Sequence, residues 1–393
     1  MKNSAEQGNF SEFDKKCMSR VISLARKGTG KTSPNPLVGA IIAKDGKIIG
    51  EGWHRQYKGK HAEQEAMDSV LAAGISPQGA DLYCNLEPCC YTAPDKHQGP
   101  CTDLIIKSGI QRVVIANYDP NPKVNGEGVK ILKKAGIKVE TGLFAADGES
   151  LNEGFFTFQR LGRPFVRLKI AQSIDGRIAA AGGDSRWITD VAARQMVHRM
   201  RSRHDAVLIG RGTAMADDPE LTVRLVRGPN PLRVVLDSRL SLPVSARLFS
   251  LPDRKKTMIL CSHEADPEKI SMLRNKGIQV LTINCEPNND ALSLQAVLAA
   301  LAGYGIRSIF VEGGSAVFTA FLRQGLWDKL AVFIAPLVLG QGLNAVGDLG
   351  INAVKNALHL NDVSFKQIGE QMLLEASLVE APFLEGGGPC LPE

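Results

Sequence analysis

The sequence lacks long apolar runs and has no strong excess of charge of either sign. No stretch among its 393 residues approaches the length of a membrane span, and no apolar segment near residue 1 resembles a signal peptide. The formal net charge of +6 is mild. The charges are scattered rather than gathered with aromatic side chains, as in a groove for nucleic acid. We therefore expect a cytoplasmic protein that binds neither a membrane nor a nucleic acid.

Cysteine is too sparse for a disulfide framework. The chain has eight cysteines, and four of them lie between residues 84 and 101. In a chain of this length, such a cluster is more typical of metal ligands than of disulfides.

The length of the chain predicts two domains of ordinary size. Residues 10–145 alternate between predicted strands and helices and include a hairpin around Asp45-Gly46. Such alternation predicts an α/β fold in which helices cover a sheet. The predicted helices span residues 13–26, 62–73, 102–108 and 129–134, and the predicted strands span residues 37–43, 47–52, 81–85, 112–116 and 138–141.

A second α/β domain is predicted over residues 163–380. A bridging helix is expected over residues 151–159, and residues 381–393 are interpreted as a flexible tail. The predicted strands of this domain span residues 165–171, 206–209, 232–237, 257–261, 279–282 and 308–312.

The first domain carries the elements of a catalytic zinc site. They are His61-Ala62-Glu63, Cys89-Cys90 after Leu86-Glu87-Pro88, and Cys101 after Gly99-Pro100. One histidine and two cysteines can hold zinc in three of its four positions and leave the fourth for water, whose pKa then falls to roughly 7. Glu63 fits the proton carrier that such sites need, which is not itself a ligand.

The predicted local structure allows these groups to meet. His61 and Glu63 lie at the start of one predicted helix, where side chains can reach past the helix end. Cys101 opens a second helix, and the N-terminus of a helix favours a thiolate. If the N-termini of these two helices face the same point, their side chains can bind one metal ion.

The cysteines also allow other interpretations, a structural zinc knuckle or buried thiols. Structural zinc usually has four ligands at short cysteine spacing, whereas Cys89 and Cys90 are adjacent and rarely both reach one ion. We favour Cys89 and Cys101 as ligands, with Cys90 as the alternative to Cys89.

The second domain contains a candidate phosphate site. A buried strand runs through Glu312 into Gly313-Gly314-Ser315 and a helix over residues 316–324. Glycines let backbone N–H groups approach a phosphate at a helix N-terminus. The spacing is not that of the usual dinucleotide fingerprint, and a plain strand-to-helix turn is the alternative.

A series of motifs gives the sequence a specific resemblance. The series is Ser33-Pro34-Asn35-Pro36-Leu37-Val38-Gly39-Ala40, the His-Ala-Glu and Leu-Glu-Pro-Cys motifs, Asp119-Pro120-Asn121-Pro122, and residues 168–179, 185–189, 212–224 and 311–314. Over residues 10–380 the chain resembles the bifunctional deaminase–reductases of riboflavin biosynthesis.

The resemblance implies two activities. A cytidine-deaminase-like α/β/α domain would hydrolyse the amine of a diaminohydroxypyrimidine ribosyl phosphate. A dihydrofolate-reductase-like α/β domain would then reduce the ribosyl group to ribityl with NADPH. The implied partner is thus a small phosphorylated pyrimidine, and we also expect a homo-oligomer.

The family's site residues carry over onto matching positions. His61, Cys89 and Cys101 would bind one zinc ion, with Glu63 as catalytic residue. NADPH would be lined by Ala171, Trp187, Thr213, Asp217, Ser238, Gly314, Ser315, Ala316, Val317, Phe318, Thr319 and Ala320. Substrate would be bound by Asn35 in the deaminase, and by Lys169, Ser185, Arg201, Leu221, Arg224 and Glu312 in the reductase.

The connection from Cys90 to Pro100 departs from the family pattern. Family members usually have a shorter loop with a histidine just after the first zinc cysteine and a Gly-Lys/Arg-Thr-Pro-Pro run. Here Tyr91 or Thr92 stands near the expected histidine. Lys96 or His97 could replace the missing contacts, or the loop could simply be solvated.

Overall fold

A computed structural model of the chain describes residues 9–92, 98–287 and 289–378. The predicted tail, residues 381–393, and the loop residues Lys96 and His97 lie outside the described residues. The chain divides into two compact units. Among the described residues, one contains residues 9–165 together with Ala299–Ser308, and the other contains Val166–Leu298 and residues 309–378. Within the described residues, no helix has both the length and the apolar character needed to cross a bilayer.

The first unit contains a five-stranded sheet of order β2-β1-β3-β4-β5. Its β1 is antiparallel to both neighbours, whereas β3, β4 and β5 are parallel. The strands are β1 (Gly39–Lys44), β2 (Lys47–Trp53), β3 (Asp81–Leu86), β4 (Arg112–Asn117) and β5 (Lys138–Thr141). The helices are α1 (Glu12–Ala25), α2 (Ala62–Ala72), α3 (Cys101–Lys107), α4 (Glu127–Lys134), α5 (Ala145–Leu151) and α6 (Glu153–Leu161).

Helices cover both faces of this sheet, as predicted. Successive residues of a strand point to opposite faces, so Ile42 packs in one core with Met67 of α2, and Ile41 packs in another with Met18 of α1. The predicted hairpin is also present. Its turn residues, Asp45 and Gly46, both have positive φ, as a tight two-residue hairpin turn requires.

The bridging helix predicted over residues 151–159 is present as α6, and a further helix that was not predicted, α5, precedes it. Two helices, α5 and α6, meet at Asn152, which has φ −118° and ψ 27°. The Asn152 side chain accepts a hydrogen bond from the Leu37 N–H at 2.7 Å and donates one to the Leu37 carbonyl at 2.9 Å. The helix is interrupted where this asparagine bonds a distant backbone.

The second unit contains a nine-stranded sheet of order β11-β10-β9-β8-β12-β6-β13-β16-β15 and a two-stranded ribbon, β14-β7. The six predicted strands are confirmed as β6 (Phe165–Ser173), β8 (Ala206–Gly210), β9 (Leu232–Leu236), β10 (Thr257–Cys261), β11 (Gln279–Thr282) and β12 (Ser308–Val311). Five strands were not predicted: β7 (Arg177–Ala180), β13 (Lys329–Ala335), β14 (Gly342–Asn344), β15 (Leu360–Ile368) and β16 (Gln371–Leu378). The helices are α7 (Val191–Arg201), α8 (Arg211–Asp217), α9 (Pro267–Asn275), α10 (Leu294–Gly303) and α11 (Ser315–Gln324).

Helix α2 lies directly against β2 because the strand has glycine at the contact. A Cβ atom on Gly52 would lie 2.3 Å from the backbone nitrogen of Ala66 and 2.4 Å from the carbonyl oxygen of Ala62. Any side chain at this position would therefore push the first turn of α2 away from the sheet.

A charge cluster joins α1 to strands β3, β4 and β5. The Arg112 guanidinium bonds Asp14 at 2.7 Å, Asp81 at 3.2 Å and also Glu140, and the Tyr83 hydroxyl donates to Asp14 at 2.7 Å. Burial would raise the pKa of Asp14, but the hydrogen bonds from Arg112 and Tyr83 outweigh it and hold that pKa well below its ordinary value. One arginine thus keeps the carboxyls of Asp14 and Glu140 charged within the fold.

We expect Arg112→Met to destabilise the first unit by about 3 kcal/mol at pH 7, because it leaves partly buried carboxylates unpaired. A lowered native pKa stabilises the fold above the unfolded-state pKa, and this contribution is lost as the pH falls. The difference in the free energy of unfolding between wild type and variant should therefore shrink below about pH 4. Urea unfolding at several pH values measures it.

Arg20→Met is the matched control, because the ion pair of Arg20 with Glu51 is exposed and worth at most about 1 kcal/mol. Equal destabilisation by both variants would contradict the role assigned to the cluster.

Candidate functional site

The structure brings the three predicted metal ligands together. His61 is the N-cap residue of α2, Cys101 is the first residue of α3, and Cys89 lies three residues after the end of β3. The Nδ1 atom of His61 lies 3.3 Å from the Cys101 Sγ and 3.5 Å from the Cys89 Sγ. All three ligand atoms lie within 4.8 Å of one another.

These distances fit zinc. Tetrahedral coordination with ordinary Zn–N and Zn–S bonds puts a ligand nitrogen roughly 3.6 Å from a ligand sulfur. One imidazole and two thiols are also donors that zinc prefers. Cys90 is not part of this group, and its thiol lies 3.7 Å from the carbonyl oxygen of Lys123.

Glu63 lies in the first turn of α2, beside the metal ligands, and is only 4 % exposed. Burial raises the pKa of its carboxyl, although His61 opposes that shift. The Cys101 thiol is within hydrogen-bonding reach of this carboxyl. A buried carboxyl beside a metal group is suited to accept and return a proton.

The ligands border a cavity of about 320 Å³. Asn35, the predicted substrate residue, lines it together with His54, a residue that the sequence analysis missed. The His54 Nδ1–H donates to the Lys60 carbonyl at 2.8 Å, so the neutral ring accepts at Nε2 from the Asn35 amide at 3.2 Å. Burial lowers the pKa of His54, which keeps it neutral at pH 7. In the sequence, the position of His54 directly after the predicted hairpin was the signal that could have marked it as a site residue.

A buried carboxylate positions another wall of the cavity. Glu87 accepts backbone hydrogen bonds from Gly126 at 2.9 Å, Val129 at 3.0 Å and Asp119 at 3.2 Å. The same segment supplies Asp119 and Asn121 to the cavity lining. The Leu-Glu-Pro-Cys motif therefore has two functions. Its glutamate fixes the loop after β4, and its cysteine is a candidate metal ligand.

A segment distant in sequence completes this cavity. Arg307 lines it, and its guanidinium lies 3.6 Å from the centre of the Phe158 ring. The Arg307 carbonyl accepts a hydrogen bond from the Phe165 N–H at 2.9 Å. Sequence patterns gave no signal for this contribution. Tyr91 and Gln98, from the long loop, also line the cavity.

A second cavity, of about 870 Å³, lies in the second unit. Helices α8 and α11 and the β7–β14 ribbon border it. Seven predicted residues line it: Ser185, Thr213, Asp217, Gly314, Ser315, Ala316 and Val317. Sequence reasoning missed several lining residues in the ribbon or next to it: Ile178, Ala179, Ala180, Ala181, Gln341, Gly342 and Leu343.

The other residues assigned to NADPH are not in this lining: Ala171, Trp187, Ser238, Phe318, Thr319 and Ala320. Phe318 is 3 % exposed in the core, whereas Trp187 is 66 % exposed, with the Arg194 guanidinium 4.2 Å from its ring centre. The Thr319 hydroxyl accepts from the Gly347 N–H at 2.8 Å, and the Ser238 carbonyl accepts from the Ser262 N–H at 2.8 Å.

Three of the predicted substrate residues of this unit cluster around one buried ion pair. Arg201 donates to both carboxylate oxygens of Glu312, at 2.8 and 3.0 Å. Burial would raise the pKa of Glu312, but the charge of Arg201 outweighs it and lowers that pKa. Burial lowers the pKa of Lys169 despite the opposing charge of Glu312 nearby.

The segment that carries Leu221 and Arg224 is tied to α7. Arg201 also donates to the Thr222 carbonyl at 2.6 Å, and the Arg224 N–H donates to the His198 Nδ1 at 3.1 Å. Leu221 is 4 % exposed and packs in the core, whereas the Arg224 side chain is exposed.

Comparisons with known proteins agree with the division of the chain into two units with different sites. Residues 11–117 match the cytidine and deoxycytidylate deaminase zinc-binding region, and residues 164–374 match the RibD C-terminal domain. The riboflavin biosynthesis protein RibD of Aquifex aeolicus is 40% identical over 364 residues, covering 92% of this chain and 98% of that protein. RibD of Escherichia coli is 35% identical, with 92% and 98% covered.

Solved structures agree as well. The Thermotoga maritima protein described as a diaminohydroxyphosphoribosylaminopyrimidine deaminase/5-amino-6-(5-phosphoribosylamino)uracil reductase is 37% identical, with a TM-score of 0.80 over 93% of this chain and 99% of that one. Acinetobacter baumannii RibD is 34% identical, with a TM-score of 0.81 over 94% and 99%.

The chain therefore joins a zinc-dependent deaminase domain of the cytidine deaminase class to a reductase domain. It belongs to the family of the riboflavin biosynthesis protein RibD. The resemblance inferred from the motifs and the predicted fold class are confirmed.

The two adjacent cysteines provide a test of the metal site. We expect Cys89→Ser to lose most of its bound zinc, because a serine hydroxyl is a poor substitute for a thiolate ligand. Cys90→Ser should keep one zinc per chain. Atomic absorption on gel-filtered protein measures both, and zinc loss confined to Cys90→Ser would contradict the assignment.

Proposed function

We propose that the two units divide the two reactions of this family between them. Residues 10–145 form the deaminase, which hydrolyses the amine of diaminohydroxyphosphoribosylaminopyrimidine. Residues 163–380 form the reductase, which then reduces the ribosyl group to ribityl with NADPH. The observation that carries the first assignment is the His61, Cys89 and Cys101 group beside the buried Glu63.

In the deaminase, His61, Cys89 and Cys101 would hold zinc. Bound zinc supplies hydroxide at neutral pH. Glu63 carries the proton from the attacking water to the leaving amine, because its carboxyl is the buried acid/base group next to the ligands. Asn35, oriented by His54, hydrogen-bonds the pyrimidine, since an amide can both donate and accept.

In the reductase, residues of the second cavity would hold NADPH, which supplies the hydride. The start of α11 after Gly314 and the side chains of Thr213 and Asp217 support this, because they line one cavity. The predicted contacts of Ala171, Trp187, Ser238, Phe318, Thr319 and Ala320 stay predictions.

The substrate side of the reductase is the cluster around Arg201. Lys169 is positioned near the reacting ribosyl carbon, and Glu312 holds Arg201 in place. Arg224, held by its backbone at His198, reaches the 5-phosphate, for which a guanidinium has paired donors. Ser185 lines the cavity proposed for NADPH, and the substrate contacts of Ser185 and Leu221 stay predictions.

The cellular setting follows from the chemistry. A reaction that consumes NADPH and needs free thiols as metal ligands suits the cytoplasm, and we propose that location. A small phosphorylated pyrimidine is the substrate rather than a nucleic acid or a membrane. The expected homo-oligomer stays a prediction.

Glu63→Gln tests the deaminase assignment. We expect ammonia release to fall by roughly 10²–10⁴-fold, because glutamine keeps the shape but cannot carry a proton. Zinc content and NADPH-dependent reduction of pre-deaminated substrate should stay unchanged. Glu65→Gln is the control, because Glu65 pairs with Arg55 on the surface. Ammonia release at the wild-type rate by Glu63→Gln would overturn the assignment.

Arg224→Ala tests phosphate recognition by the reductase. We expect kcat/KM for the phosphorylated substrate to fall roughly 10- to 100-fold, as for a lost charge-assisted hydrogen bond. The KM for NADPH and the use of an unphosphorylated analogue should change little. Arg227→Ala, a nearby exposed arginine, is the control. Equal losses with both substrates would assign Arg224 to the fold or the cofactor instead.

A further inference from the structure

We infer that Gln98 is a specificity-determining residue of the deaminase, which donates a hydrogen bond from its side-chain NH₂ to an acceptor atom of the pyrimidine. Gln98 belongs to the long loop between the two zinc cysteines, where this chain departs from its family. The inference rests on the proposed function, since the cavity must be the deaminase site.

The orientation of the Gln98 amide is fixed by its contact with α2. Its Oε1 lies 3.3 Å from the backbone nitrogen of His61 and accepts the hydrogen bond from that N–H. If the amide were rotated by 180°, its Nε2–H would point at the His61 N–H, and two donors would face each other. The Nε2 end must therefore face away from this N–H. The loop is thereby attached at the residue that also supplies a metal ligand.

The Nε2 atom of Gln98 is an unsatisfied hydrogen-bond donor. It is buried, and it has no hydrogen-bond partner within the part of the chain that the structure describes. Gln98 is one of the residues that line the same cavity as Asn35 and Glu63. Buried amide donors are normally paired, and one left unpaired is costly.

A pyrimidine can satisfy this donor. Its ring nitrogens and exocyclic oxygen are acceptors, and its aminated carbon must approach the metal ligands to react. Because Gln98 is bonded to His61, an acceptor that meets its Nε2 lies beside the reacting edge of the ring. The neighbouring Asn35 already donates to His54. An amide nitrogen carries two N–H groups, so Gln98 adds a second amide donor to the one that Asn35 can still offer.

Three variants of the full-length, zinc-loaded enzyme test this inference. Gln98→Glu keeps an acceptor for the His61 N–H but removes the donor, and Gln98→Met keeps the volume but removes both. Gln159→Glu adds the same charge to the same cavity and leaves Gln98 intact. The readouts are zinc content, kcat/KM for ammonia release, and NADPH oxidation with pre-deaminated substrate.

We expect Gln98→Glu to retain its zinc and its reductase activity while kcat/KM for ammonia release falls roughly 10- to 100-fold. Gln98→Met should lose at least as much, and Gln159→Glu clearly less. A Gln98→Glu variant within twofold of wild type, or an equal loss in Gln159→Glu, would overturn the inference. If Glu63→Gln is inactive in the same assay, such a result leaves the proposed function standing, whereas an active Glu63→Gln removes the proposed function itself.

Discussion

The close contact between α2 and β2 is the constraint on which the deaminase site depends. A Cβ on Gly50 would lie 2.3 Å from the Val70 side chain and 2.7 Å from the Ala66 carbonyl, and Gly52 allows a similar approach one turn earlier. His61 and Glu63 occupy the start of this helix, so its distance from the sheet sets both positions. A buried contact this tight cannot relax gradually, because protein cores are close-packed. The side chains at the start of α2 are therefore held close to the metal site by the packing of the helix itself, without long, flexible loops.

The second unit positions its polar groups through side-chain bonds to one helix. Arg201, at the end of α7, joins Glu312 to the Thr222 carbonyl, and His198, one turn earlier, accepts from the Arg224 N–H. Two segments that are distant from α7 in sequence, at Glu312 and at residues 222–224, are thus ordered by two residues of the same helical face. The ion pair is buried, so removing one partner would leave an uncompensated charge and disturb every segment that it holds.

The sequence predicted features that depend on local signals. The hairpin follows from Asp45-Gly46, and the ligand positions follow from helix starts at His61 and Cys101. The ribbon strand β14 has three residues, too few for a periodic signal, and its partner β7 lies far away in the chain. The run from residue 314 to 320 matched the family as a continuous segment. In a helix, however, successive side chains point about 100° apart, so Val317 lines the cavity while Phe318 enters the core.

The two buried glutamates show how environment separates the roles of one residue type. Glu63 is desolvated beside the side chains of His61, Cys89 and Cys101, and burial raises its pKa. Glu312 is similarly buried, but it accepts two hydrogen bonds from Arg201, and its pKa is lowered. A carboxyl with a raised pKa can exchange a proton near neutral pH, whereas a paired one stays anionic and holds its partner. The two environments thus support the roles proposed for these residues, proton transfer at Glu63 and alignment through Arg201 at Glu312.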